Sequence, residues 1–78
     1  MPIDTLTVEQ ALQKLRGYFV DAQIETIEPR GEDVYEVKGR YRLTSLFGIL
    51  TEKGTFTLTF KITGVGAPRL VKAEIKPE

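Results

Sequence analysis

The ten residues from Gly54 to Thr63 constrain the fold more than any other stretch of this chain, because apolar and polar side chains alternate there without a break. The apolar positions are Phe56, Leu58, Phe60 and Ile62, and threonines and a lysine lie between them. A two-residue period over aromatic, leucine and β-branched residues is typical of a strand with one dry face and one wet face. The pattern predicts the central strand of a sheet.

Length and composition indicate one small domain, residues 1–78, that folds without covalent support. The chain has no cysteine, and 41% of its 78 residues are hydrophobic. Disulfides and thiolate metal sites are therefore excluded, and a chain of this size buries only about 60–65% of its unfolded surface. No apolar run approaches the roughly 18 residues of a membrane span. We therefore expect a soluble, cytoplasmic protein with no membrane partner.

A helix is predicted near the N-terminus, over about residues 7–20. Thr7 and Gln10 have the spacing of a capping box, and Glu9 would lie in the first turn, where the helix dipole favours an acid. An apolar stripe follows at spacings of three and four, formed by Val8, Ala11, Leu12, Leu15 and Phe19. This stripe is expected to cover the inner face of the sheet.

Three further segments are predicted as strands. Residues 22–28 alternate, except that Ile24 and Ile27 are three apart, which a bulge at a sheet edge would reconcile. A turn is expected at residues 29–32 and a loop at residues 64–68. The remaining inward positions are Tyr35, Val37, Tyr41 and Leu43 of strand 33–43, and Val71, Ala73 and Ile75 of strand 69–76, with Leu70 outward. The predicted fold is α+β: one N-terminal helix packed on a four-stranded, or five-stranded, antiparallel meander sheet.

The most apolar run of the chain, residues 46–50, has two interpretations. Leu46, Phe47, Ile49 and Leu50 form either a fifth strand, paired back onto the central strand, or an apolar loop. Glu52-Lys53-Gly54 resembles a short hairpin loop with glycine at a left-handed position, which favours the strand. The run either closes one end of the small core or binds a protein partner or a second copy, since monomers rarely expose large apolar patches.

Charge is unevenly distributed along this neutral chain. Residues 1–36 carry eight acidic and three basic side chains, and residues 37–78 carry eight basic and three acidic ones. Such asymmetry marks either a surface for an acidic partner or two halves that attract each other, within one molecule or in a head-to-tail oligomer.

A basic sheet face follows from the predicted strands. Its outward cations are Lys38, Arg40, Arg42, Lys61, Lys72 and Lys76, accompanied by Glu36 and Glu74. Cations interleaved with hydroxyls grip phosphates, so nucleic-acid binding is an alternative function. Against it, the predicted face has no aromatic residue on which bases would stack, and the whole chain is neutral.

Catalytic signals are lacking. The chain has no histidine and no cysteine, and no serine-hydrolase or nucleotide-binding motif occurs. We therefore expect no catalytic residues, no cofactor and no metal. A third alternative is a small-molecule pocket between helix and sheet, with hydroxyls from Tyr18, Tyr35 and Tyr41. The leading interpretation is a non-catalytic interaction module that acts through a sheet surface as a homo-oligomer.

The order of a helix followed by antiparallel strands resembles the cystatin-like arrangement. Tyr35-x-Val37-x-Gly39 is similar to the Gln-x-Val-x-Gly inhibitory segment of that family. The glutamine is absent, the segment falls inside a predicted strand, and no Pro-Trp second loop occurs. The resemblance therefore implies an order of elements and no inhibitory activity.

Overall fold

The computed structural model describes residues 3–16, 19–64 and 66–78. Helix α1 (Thr5–Arg16) precedes four strands: β1 (Phe19–Gly31), β2 (Val34–Thr44), β3 (Leu50–Lys61) and β4 (Arg69–Pro77). The strands form one antiparallel sheet in the order β1-β2-β3-β4. The predicted α+β meander is confirmed, with four strands in the sheet.

Helix α1 begins two residues earlier than predicted, because Asp4 caps it. The Asp4 carboxylate accepts hydrogen bonds from the backbone amide and the hydroxyl of Thr7, both at 2.8 Å. These bonds hold the pKa of Asp4 below its ordinary value. Asp and Thr are both good N-cap residues, so the capping box at Thr7 was the wrong choice between two candidates. Glu9 consequently lies beyond the first turn, which contains no acid.

The helix packs its apolar stripe against β1. Val8, Ala11 and Leu12 are buried as predicted, whereas Leu15 is half exposed. Phe19, the last predicted member of the stripe, is instead the first residue of β1. Residues 17 and 18 of the predicted helix lie outside the described part of the chain.

The predicted bulge in β1 is confirmed. Ile24 pairs with Gly39 and Thr26 pairs with Lys38, so Glu25 is the extra residue. Both Ile24 and Ile27 consequently pack against the core. β1 also includes most of the predicted turn at 29–32, because the chain reverses at residues 32–33, where Asp33 has a φ of 57°.

β3 is the interior strand that the alternation predicts. It pairs with β2 on one side and β4 on the other. Phe56, Leu58 and Phe60 are almost fully buried, and Ile62 packs against the core just beyond the strand end. The inner face of the sheet therefore has its centre on β3.

A second bulge corrects the predicted faces of β4. Thr59 pairs with Lys72 and Phe60 pairs with Leu70, so Val71 is left without a partner residue. Leu70 packs against the core and Val71 is 52% exposed. The inward assignment of Val71 and the outward assignment of Leu70 were wrong, because two adjacent apolar residues do not reveal which of them faces the core.

Two buried glycines mark positions where neighbouring backbones approach closely. A Cβ at Gly39 would overlap the carbonyl oxygen of Gln23 and lie 2.8 Å from the Phe56 ring. A Cβ at Gly54 would overlap the carbonyl oxygen of Lys76. Gly54 therefore lies inside the sheet, and its assignment to a hairpin loop was wrong.

Candidate interaction surface

The apolar run is a loop that joins β2 to β3, and only its last residue, Leu50, belongs to a strand. The Ser45 amide donates to the Ile49 carbonyl and the Gly48 amide donates to the Ser45 carbonyl, both at 2.9 Å. The Ser45 hydroxyl oxygen accepts from the amides of Phe47 and Ile49 at 3.2 and 3.3 Å. The left-handed glycine of this hairpin is Gly48, with a φ of 76°. Of the two interpretations, the loop is correct and the fifth strand is wrong.

The side chains of this loop point into solvent. Leu46 is 83% exposed, Phe47 88%, Ile49 64% and Leu50 42%. They are absent from the core cluster of buried residues. The interpretation in which they close one end of the core was therefore wrong.

Phe19 extends the exposed apolar surface onto the sheet. Phe19 pairs with Thr44, which in turn pairs with Leu50, so the three residues form one row at the end of the sheet nearest the loop. Phe19 is 57% exposed. We call Phe19, Leu46, Phe47, Ile49 and Leu50 together the tip patch. Sequence reasoning missed Phe19 because the predicted helix ran past Gly17, although glycine after a cation is a common helix stop.

A charged row borders the tip patch on the outer sheet face, which is the face opposite the core. Arg42 pairs with Asp21 on β1 and with Lys53 on β3. Lys53 lies 3.9 Å from Glu78, whereas Asp21 and Arg42 make no ion pair within the described residues. These side chains and Leu50 line a concavity of about 540 Å³. The border of the patch thus combines an acid and a cation that have no ion-pair partner among the described residues.

The six predicted cations do lie on the outer face, but half of them are paired with acids. Lys38 lies 3.5 Å from Glu36, Arg40 lies 3.5 Å from Glu25, and Lys76 lies 3.6 Å from Glu74. Arg42, Lys61 and Lys72 have no ion pair within the described part of the chain. Only the Arg40–Glu25 pair joins β1 to β2, whereas the Lys38–Glu36 and Lys76–Glu74 pairs each lie within one strand.

Glu36 is held in its ionised form by a second cation. Arg30 donates hydrogen bonds to Glu36 at 3.1 Å and to Glu28 at 2.6 Å. The Arg30 hydrogen bond keeps the pKa of Glu36 below its ordinary value. Acids therefore stay charged among the cations of this face. Among the described residues, the outward side chains of β2, β3 and β4 include no aromatic, as expected, and Phe19 lies on the outer face of β1 at the apolar end.

Support for a pocket between helix and sheet is lacking among the described residues. Tyr41 is buried, and its hydroxyl donates to Glu52 at 2.7 Å. Tyr35 is half-buried on the core margin, and Tyr18 lies outside the described residues. A second concavity, of about 410 Å³ and lined by Lys38 and Thr57, also lies on the outer face.

Both edges of the sheet are protected against pairing with another strand. On the β1 edge, the Ala22 amide donates to the Glu9 carboxylate at 3.0 Å, and the bulge at Glu25 interrupts the strand. The β4 edge has the bulge at Val71 and the cation Lys72 beside it. Bulges and lysines are the usual defences against edge-to-edge association. The tip patch has no comparable protection.

The described residues offer no grouped metal ligands and no membrane-spanning helix. No three of their acidic side chains are grouped to hold a metal ion, and no helix there is long and apolar enough to cross a membrane. Compared with protein-family models, with curated proteins and with solved structures, the chain finds no match.

Proposed function

We propose that this chain is a small non-catalytic interaction module that self-associates through the tip patch. The supporting observation is the clustering of five large apolar side chains, each between 42% and 88% exposed, at one end of the sheet. At about 150–250 Å² for an aromatic side chain and less for leucine or isoleucine, they expose on the order of 600 Å² of apolar surface. That area is at the upper end of what monomers leave in water.

The backbone of the loop within the tip patch is already hydrogen-bonded, which lowers the cost of burying it. Ser45 satisfies three of the loop amides, those of Phe47, Gly48 and Ile49, and its own amide donates to Ile49. A backbone group that is already hydrogen-bonded loses little when water is removed, whereas an unpaired one costs several kcal/mol. A loop with one defined conformation also loses less entropy on binding.

The free energy available is sufficient for a reversible complex. At about 25 cal/mol per Å², burial of on the order of 600 Å² on each copy corresponds to tens of kcal/mol before any cost is subtracted. Lost rotational and translational freedom removes about 4–15 kcal/mol, and imperfect packing removes more. We therefore expect a homodimer of micromolar affinity or tighter.

Light scattering across a dilution series tests the proposal. The wild-type mass should approach twice 8.8 kDa at high concentration and fall on dilution. Leu46→Glu with Phe47→Glu should leave a folded monomer, since both side chains lie outside the core. Leu6→Glu is the matched control: Leu6 is 61% exposed but lies on the helix, so this variant should dimerise normally. A wild-type mass of 8.8 kDa at hundreds of micromolar would contradict the proposal.

A further inference from the structure

We infer, resting on the proposed function, that the two copies meet around a two-fold axis, with Asp21 of each copy paired with Arg42 of the other. The two residues lie opposite each other in the row beside the tip patch. Both are exposed, and neither has an ion pair within the described residues. In a two-fold interface, contact of residue i with residue j implies contact of j with i. An acid and a cation that border one apolar patch therefore form a self-complementary rim.

The mixed sign of this rim favours a second copy over a partner of one charge. A strongly acidic partner would meet Asp21 and Glu78, and a strongly basic one would meet Arg42 and Lys53. Like charges brought together at an interface oppose binding. A second copy presents the same acid and cation in reversed order, so both charges find opposite partners.

The concavity beside the patch allows two protruding loops to approach. Phe47 is 88% exposed at the end of its hairpin, so two such loops meeting head-on would hold the rest of the surfaces apart. The concavity of about 540 Å³ lies next to Leu50 and has Arg42 in its wall. In the two-fold complex, the Phe47 ring of one copy enters the concavity of the other and contacts the Arg42 guanidinium. Arginine over an aromatic ring is a favourable pairing.

The buried area requires the charged row as well as the patch. A standard interface buries about 800 Å² on each partner, and the tip patch supplies on the order of 600 Å². The row of Asp21, Arg42 and Lys53 is the adjacent surface on the same face. Its burial brings the interface to the standard size.

Charge reversal with complementation tests the pairing. In the Asp21→Arg homodimer, residue 21 and Arg42 are both cations, so each of the two symmetric pairs becomes repulsive. In the Arg42→Asp homodimer, both pairs consist of two acids and are repulsive too. Each variant should weaken the homodimer about tenfold or more. An equimolar mixture should form a heterodimer with an affinity within about threefold of wild type, because both intermolecular pairs become opposite in sign. Native mass spectrometry distinguishes the heterodimer from both homodimers.

The mixture separates this effect from a weakened fold. Either reversal also places like charges on neighbouring strands of one molecule, and mixing does not repair that. Recovery on mixing therefore reports the contact between copies. Lys61→Glu, on the same face at the far end of β3, is the matched control and should leave dimerisation unchanged.

The outcomes distinguish this pairing from the proposed function. A monomeric wild type contradicts both. In a second outcome, the wild type dimerises, dissociates when Leu46 and Phe47 are changed to Glu, and yet tolerates both charge reversals. That result supports dimerisation through the tip patch and overturns the Asp21–Arg42 pairing. Weakened homodimers that do not recover on mixing also overturn it. Loss with each reversal and recovery in the mixture support it.

Discussion

Gly39→Ala should destabilise the sheet, although alanine is normally the easier residue to accommodate in a strand. Gly39 is buried on β2, between Ile24 of β1 and Phe56 of β3. The added Cβ would overlap the Gln23 carbonyl oxygen and come within 2.8 Å of the Phe56 ring. The ring can rotate away, but the carbonyl oxygen belongs to a backbone that is hydrogen-bonded into the ladder. β1 must therefore move away from β2.

The expected loss of unfolding free energy in Gly39→Ala combines two opposing effects. Overpacking costs about 1–3 kcal/mol, and the rigid backbone on one side places Gly39 at the upper end. Alanine restricts the unfolded chain, which returns about 0.4–1 kcal/mol. The net loss is therefore about 2 kcal/mol, a large fraction of the roughly 4–12 kcal/mol expected for a domain of 78 residues. At an m-value of about 1 kcal/mol per M urea, the midpoint should fall by about 2 M.

Urea denaturation followed by circular dichroism checks this estimate against Gly48→Ala. A Cβ added at Gly48 would have no described atom within 4 Å, but the φ of Gly48 is +76°. Its substitution therefore costs only the left-handed strain of about 1–2 kcal/mol, less the same return from the unfolded chain. Gly54→Ala should resemble Gly39→Ala, since its Cβ overlaps the Lys76 carbonyl oxygen. A midpoint for Gly39→Ala equal to or above that of Gly48→Ala would refute the close approach of β1 and β2.

Three other predictions concern the core, the outer face and acid stability. Phe60→Ala should cost about 3–5 kcal/mol because the side chain is buried in the core, whereas Thr57→Ala on the outer face should be nearly silent in the same denaturation assay. Fluorescence anisotropy at low salt should show no binding of single- or double-stranded nucleic acid at tens of micromolar protein; binding that falls steeply with salt and is lost in Arg40→Glu with Lys61→Glu would revive the nucleic-acid function. The pKa of Asp4 is lowered in the folded state, so its ionised carboxylate stabilises the fold at pH values above the ordinary pKa of 3.8. This contribution is lost as the pH falls through the lower pKa of the folded state. Asp4→Asn caps the helix without titrating, so acid titration of this variant should show a shallower loss of stability below about pH 4.

Sequence reasoning succeeded where the signal is local. The alternation from Phe56 to Phe60 identifies a strand and its buried face without reference to the rest of the chain. The spacing of Ile24 and Ile27 likewise required a bulge, and the bulge is present. In each case a residue and its near neighbours contain all the information, because side-chain direction follows the period of the strand.

Sequence reasoning failed where two nearby residues fit the same structural role about equally well. Asp4 and Thr7 are both good caps, and spacing along the sequence alone does not decide between them. Leu70 and Val71 are equally apolar, so the pairing with β3 decides which one faces the core. Gly48 and Gly54 both suit a hairpin, yet Gly54 lies where a neighbouring backbone excludes a side chain. These choices depend on contacts between distant segments.

Part of the candidate surface is predictable from local sequence, and part depends on contacts between distant segments. Leu46 and Phe47 were assigned to a binding segment from the sequence alone, because a long apolar run in a short chain is conspicuous. Phe19 and Asp21 join it only through the register of β1 on β2.

The composition of the tip patch bears on the stability of the proposed dimer. The described core holds eleven buried hydrophobic residues, and the tip patch places five more large apolar side chains in water. In the monomer those five contribute almost nothing to stability and increase the risk of aggregation. In a dimer the same side chains are buried, and association of folded copies stabilises the fold by mass action. For a domain of 78 residues, near the size at which a single core is marginal, the proposed self-association would place the exposed apolar surface where it adds to the stability of the fold.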